Sequence, residues 1–214
     1  MKMSTYRKWA LCFLGMNLMF VPSLVFAQRN DEATEQLGKA LEYFTSQKYH
    51  ECLMIMQDLE KQYRLNPRYK AYLGVCYYYE WDYEHANKYL TEAIPQLALF
   101  APHERSFYYW ANAESLFYLQ KYKEAIPMYE AMLPLCYENE KPDAYYRLGF
   151  CHLFMENWVG AWNEFLKAQD AYQKYRDTPD MQARIIQVSH MLDGLKPKAV
   201  SYTHLRAHET KANL

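Results

Sequence analysis

Residues 72–93 read YLGVCYYYEWDYEHANKYLTEA, and this stretch decides the fold. Tyr72, Leu73, Tyr77 and Tyr79 recur at helical spacing, Trp81-Asp82-Tyr83 makes a tight turn, and Ala86, Tyr89, Leu90 and Ala93 form a second apolar stripe. Small residues at Gly74 and Ala86 let two such helices approach closely, with Tyr83 filling the space beyond. The stretch is a helical hairpin.

The hairpin is repeated. An aromatic residue is followed three positions later by a small one at Tyr49/Cys52, Tyr83/Ala86, Tyr122/Ala125 and Trp158/Ala161. Nine residues before each aromatic stands Ala40, Gly74, Ala113 or Gly149, all small. Seven after it stands Met56, Leu90, Tyr129 or Phe165, all large and apolar, and ten after it Leu59, Ala93, Met132 or Ala168. Several columns holding one register specify a repeat architecture before any local element is assigned. The expected fold is all-α, a solenoid of four stacked antiparallel helix pairs in units 33–66, 67–104, 105–141 and 142–176. Asp177-Thr178-Pro179 then supplies an N-cap and a first-turn proline for a helix over 181–195, with Ile185, Val188, Met191 and Leu192 at helical spacing. Residues 177–198 read as a capping helix or the start of a fifth repeat.

These residues resemble the tetratricopeptide repeat family, whose unit is a 34-residue antiparallel helix pair stacked into a right-handed superhelix. Leu73-Gly74 with Tyr77, Tyr83, Ala86, Leu90 and Ala93 carries the likeness, as does Leu148-Gly149 with Trp158, Ala161, Phe165 and Ala168. The first and third units depart from it, with Cys52 where alanine is usual and Asn112-Ala113 where Leu-Gly is usual. The aromatic richness and the second helices, expected to be lengthened and to carry Pro95 and Pro134, look like exported members from Bacteroidetes-type bacteria.

Composition agrees with long, turn-poor helices. Among 214 residues there are 22 Tyr, 10 Phe and 5 Trp against 6 Gly and 9 Pro. The two ends read differently from the repeats. Lys2, Arg7 and Lys8 precede an uncharged apolar run, Trp9 to Phe26, that closes on Val25-Phe26-Ala27. This is the pattern of a signal peptide, residues 1–27, cleaved after Ala27. It predicts export to the periplasm or envelope of a Gram-negative bacterium, with envelope association. At the other end, Val200 to Thr210 matches the conceptual translation of a transposase-type sequencing adapter. Residues 199–214 are therefore expected to be adapter-derived, and His204 and His208, spaced as zinc ligands would be, to have no function. The remaining 171 residues carry nineteen Lys and Arg against twenty-four Asp and Glu, a charge of -5 that offers no electrostatic footprint for nucleic acid.

Catalytic patterns are not found. His50, His85, His103, His152 and His190 have no second ligand at metal spacing, so no metal and no cofactor is expected. His50-Glu51-Cys52 points its side chains about 100° apart on a helix. His152 falls at a core position, where hydrogen bonding is its expected role. Cys76 and Cys151 occupy equivalent places on the first helices of the second and fourth units with a full repeat between them, beyond the Cα separation of about 7 Å that a disulfide tolerates. The reading is a non-enzymatic protein.

In the family that the chain resembles, the first helices of successive units line the groove that holds a partner. Mapping that face gives Leu37, Leu41 and Phe44, then Val75, Tyr78 and Tyr79, then Trp110, Glu114, Phe117 and Tyr118, and finally Tyr146, Phe150 and Phe154. Large amphipathic rings are enriched at binding hot spots. The expected function is an exported scaffold that holds a protein or peptide partner in an aromatic concave groove. The alternative is the sensor or assembly region of a longer envelope or signalling protein, cut near residue 198.

Overall fold

The computed structural model describes residues 31–212, with side chains up to Lys198. The signal segment, and the side chains of His204 and His208, lie outside the described residues. Two compact units are present, one ending at Arg64 and one from Leu65 onward. Helices α1 (31–45) and α2 (Tyr49–Gln62) belong to the first. The second holds α3 (Pro67–Tyr79), α4 (Tyr83–Ala93), α5 (Pro102–Tyr118), α6 (Tyr122–Met132), α7 (Lys141–Phe154), α8 (Trp158–Tyr175) and α9 (Gln182–Ala212). The described residues include no strand.

From α3 to α9 each helix packs on the next. The small and large columns of the sequence are the seam of every pair: Ala40, Gly74, Ala113 and Gly149 are buried, and so are Met56, Leu90, Tyr129 and Phe165. At Gly74 an added Cβ would lie 2.7 Å from Leu90 Cγ, and at Gly149 it would lie 2.7 Å from the Phe165 ring. Each glycine is thus required by the close approach of its own pair. One core joins α5, α6 and α7 through Ala113, Leu116, Ala125, Tyr129, Leu148 and Cys151. Another joins α7, α8 and α9 through Tyr146, Phe165, Ala168, Tyr172, Ile185, Val188, Leu192 and Leu195.

The turns inside the four pairs share one geometry. Gln47, Trp81, Gln120 and Glu156 adopt positive φ between 57° and 62°. The next residue in each turn donates its backbone N–H five positions back, from Lys48 to Tyr43, Asp82 to Tyr77, Lys121 to Leu116 and Asn157 to His152, at 2.8 to 3.0 Å. This is the left-handed C-terminal cap, which usually favours glycine; here it holds four residues with full side chains. Asp82 and Asn157 then cap the following helices by accepting from His85 N and Gly160 N.

Two expectations are corrected. The second helices of the second and third units are not lengthened through their prolines. They end at Ala93 and Met132; Pro95 lies in a 3-10 turn, Ile94–Leu97, and Pro134 lies beyond the end of α6. A proline has no N–H for the ladder and its ring collides with the carbonyl four residues back. Pro127 is nevertheless accommodated inside α6. Nor does helical structure stop at Lys198: α9 runs on to Ala212. Like Pro127 in α6, Pro197 is accommodated inside α9, and no glycine or proline follows it up to Ala212.

Candidate partner-binding surface

The groove residues of the second unit stand on α3, α5 and α7, one helix from each pair, and their rings form a continuous ladder. Tyr79 meets Tyr78 edge-on at 5.0 Å, Tyr78 lies 6.2 Å from Tyr83, and Tyr83 stacks on Tyr118 at 4.7 Å. Tyr118 continues to Phe117 at 5.9 Å, Phe117 to Phe154 at 6.1 Å, and Phe154 to Phe150 at 5.8 Å. Tyr122 completes the crossing at 4.9 Å from Phe154. Edge-to-face and offset stacking in this range is the favoured geometry of aromatic pairs. Tyr83 and Tyr122, first residues of α4 and α6, extend the ladder beyond the helices to which the sequence reading confined it.

The ladder is only partly exposed. Tyr79, Tyr118 and Phe154 are 41%, 48% and 51% exposed, whereas Tyr78, Phe117, Phe150 and Trp110 are half-buried. Three mapped positions do not face a groove at all. Val75 and Tyr146 are buried, Tyr146 packing against Phe165 and donating its hydroxyl to Gln187 of α9. Glu114 is 2% exposed. Heptad-like mapping assigns a face but not how far a neighbouring repeat overlaps it. Leu37, Leu41 and Phe44 lie on α1 in the first unit, all half-buried.

Glu114 instead anchors a buried charged cluster behind the ladder. It accepts a short hydrogen bond from the Tyr129 hydroxyl and, at 2.7 Å, one from Arg147 Nη2 of α7. Arg147 also donates to the Tyr118 hydroxyl at 3.2 Å and lies over the Phe117 ring, 4.7 Å from its centre. Burial raises the Glu114 carboxyl above the usual range, against the lowering effect of Arg147 and Tyr129. Burial alone would lower Arg147, but the Glu114 charge and the tyrosines raise it above the ordinary guanidinium value. The pair therefore positions Phe117 and Tyr118 from below.

Beside Trp110 the surface opens into a pocket of about 500 Å³, lined by Tyr79, Phe107, Trp110, Met132, Ser106, His103, Glu104, Glu140 and Asp143. Its carboxylates bridge elements. Arg68 of α3 grips Glu104 of α5 through Nε and Nη2 at 2.8 and 3.0 Å. His103 Nε2 lies 3.0 and 3.1 Å from the two oxygens of Glu140, while Arg176 and the Tyr172 hydroxyl both donate to Asp143. No sequence motif announced these bridges, since each joins residues 29 to 37 apart.

The other polar candidates have local partners. His152 is half-buried with Nδ1 3.1 Å from Asn157 Nδ2, and His85 Nδ1 pairs with Asp82 at 2.8 Å. Cys52, Cys76 and Cys151 are buried and Cys136 is half-buried; burial pushes Cys151 up to about 12 and raises Cys136 as well.

No family model matches the chain, and no curated protein does. Solved structures do. MamA residues 41 to the end from Desulfovibrio magneticus RS-1 aligns with a TM-score of 0.58 at 17% identity, covering 85% of this chain and 93% of that one. The apo form of RapI aligns at 0.57 and 13% identity over 84% and 68%, and a further MamA structure at 0.50 and 20% over 82% and 97%. All are helical-repeat proteins of the tetratricopeptide type. At these identities the likeness is one of architecture. The chain has the tetratricopeptide-type helical-repeat fold.

Proposed function

We propose that this protein is an exported, non-catalytic scaffold that binds a peptide or an extended segment of a partner protein along the aromatic ladder of α3, α5 and α7. The observation that carries this reading is the exposure of Tyr79, Tyr118 and Phe154, rings from three successive repeats, along one unbroken line of ring contacts. A ladder serving packing alone would bury its outer edges; one that offers rigid amphipathic rings at repeat spacing suits a partner lying across the helices. The fold supports a scaffold role, because stacked repeats present an extended surface rather than an enclosed site. Export rests on the basic and apolar pattern of residues 1–27.

The test is a pull-down from envelope extract with wild type and a Tyr79→Ala, Tyr118→Ala, Phe154→Ala triple variant, followed by titration of the purified partner. The three side chains are exposed, so the variant retains the wild-type helical signal. Loss of about 2 kcal/mol or more of binding energy is expected, as for central aromatic anchors; equal affinity for both proteins removes the ladder as the binding surface. Export is checked by fractionating cells and sequencing the mature N-terminus, expected to begin at Gln28.

A further inference from the structure

The pocket beside Trp110 has a composition that selects its occupant. Three of its walls are rings, Tyr79, Phe107 and Trp110, and its volume of about 500 Å³ is that of a small-ligand site. Its ionisable lining is Glu104, Glu140, Asp143 and His103, with no lysine or arginine. The basic groups that face these carboxylates are Arg68, His103 and Arg176. Three carboxylates against two guanidiniums and an imidazole leave one negative charge in excess whenever His103 is neutral. Bonds from Arg68, Tyr108, Tyr172, Arg176, His103 and the backbone N–H of Tyr137 hold the carboxylates in place, yet a carboxylate has about four acceptor sites, so each retains capacity for a further donor.

We propose that this pocket receives a cationic side chain of the bound segment, a lysine or arginine whose hydrocarbon stem lies on Tyr79, Phe107 and Trp110 and whose charge meets Glu104, Glu140 and Asp143. The inference rests on the ladder being the binding surface, to which Tyr79 joins the pocket as a member of both. An acidic side chain entering here is repelled by the excess charge. A wholly apolar one would strip water from three carboxylates without replacing it, a cost that burial of polar groups always carries. A long cationic side chain avoids both, since its stem covers rings while its head donates to the rim. The described residues 31–198, with eighteen Lys and Arg against twenty-four Asp and Glu, attract such a segment from a distance as well.

A phage-displayed random peptide library, each insert about twelve residues long, is selected on the full chain, and the enriched peptides are synthesised and titrated. Enrichment of Lys or Arg beside apolar residues is expected. Replacing the selected cationic residue by norleucine, or introducing Glu140→Gln, is expected to weaken binding about tenfold each, with the difference shrinking at high salt. Peptides that lose affinity on Tyr79→Ala or Tyr118→Ala but show no basic enrichment and no response to norleucine overturn the cation site while leaving the ladder in place. Peptides indifferent to both tyrosine variants overturn the ladder, and the cation site with it. Should Glu140→Gln shift the thermal melt, the norleucine peptide on the unaltered protein decides the matter.

Discussion

At the scale of single residues, the fold is governed by where a Cβ fits. Gly149 faces a fully buried Phe165 ring that has nowhere to move, so Gly149→Ala is expected to cost about 1–3 kcal/mol, the range for overpacking a dense core, read as a lower urea midpoint. Gly194 has nothing within 4 Å of an added Cβ. There the intrinsic helix preference acts alone, and Gly194→Ala is expected to stabilise by about 0.5–1 kcal/mol. Gly149 stands in the small column of the repeat and Gly194 outside it, and their surroundings differ accordingly. The left-handed turn residues make the same point from the backbone side. Gln120 sits at φ 60° with an exposed side chain, a conformation costing an L-residue about 1–2 kcal/mol. Gln120→Gly should relieve part of this and raise the melting temperature.

At the scale of helices, successive first helices or their caps are joined by polar bridges across a repeat: the ion pair of Arg68 with Glu104, the hydrogen bond between His103 and Glu140, and the ion pair of Arg147 with Glu114. The last is buried at the carboxylate end and differs in consequence from its exposed counterparts. Arg147→Ala leaves the buried Glu114 carboxyl with the Tyr129 hydroxyl but no cationic partner, and breaking a buried pair in this way costs about 3–5 kcal/mol; calorimetric melts measure it. The pH dependence has a definite sign. Because burial raises the folded carboxyl of Glu114 above its unfolded value, its contribution to stability is fully present below the ordinary carboxylate range. That contribution is lost as pH rises through the folded value. A Glu114→Gln variant keeps a neutral side chain throughout, so its stability relative to wild type should rise as pH climbs from the ordinary carboxylate range, about 4, through the folded value. A flat difference across that interval would show that Arg147 and Tyr129 fully offset the burial. Either result leaves Phe117 and Tyr118 as the rings that this cluster supports from beneath.

At the scale of the molecule, α9 closes the second unit by covering Tyr146, Phe165, Ala168 and Tyr172 with Ile185, Val188, Leu192 and Leu195. Ending the chain at Arg176 would expose this apolar face, and exposed faces of that kind associate. The shortened protein is expected to melt at lower temperature and to elute as higher oligomers on size exclusion.

Much of this was legible in residues 72–93 and their three counterparts. Small and large columns at fixed spacing can satisfy their burial only as close-packed helix pairs, since helical periodicity and residue volume are local properties carried by each residue wherever it goes. The shared turn geometry is not legible in the sequence, because its positions hold Gln, Trp, Gln and Glu in place of glycine, and the packed helices on both sides hold a conformation that local preference resists. The groove was half legible for a related reason. Spacing put Tyr79, Tyr118 and Phe154 on one face, but it could not show that Glu114 and Tyr146, on that same face, would be covered by Arg147 and by α9. Sequence by itself determined the repeat, its register and its seams, because those depend on contacts within about 34 residues. Only the tertiary structure decided which rings stay exposed, which carboxylates meet, and that a pocket opens beside Trp110, because those depend on the overlap of one repeat with the next.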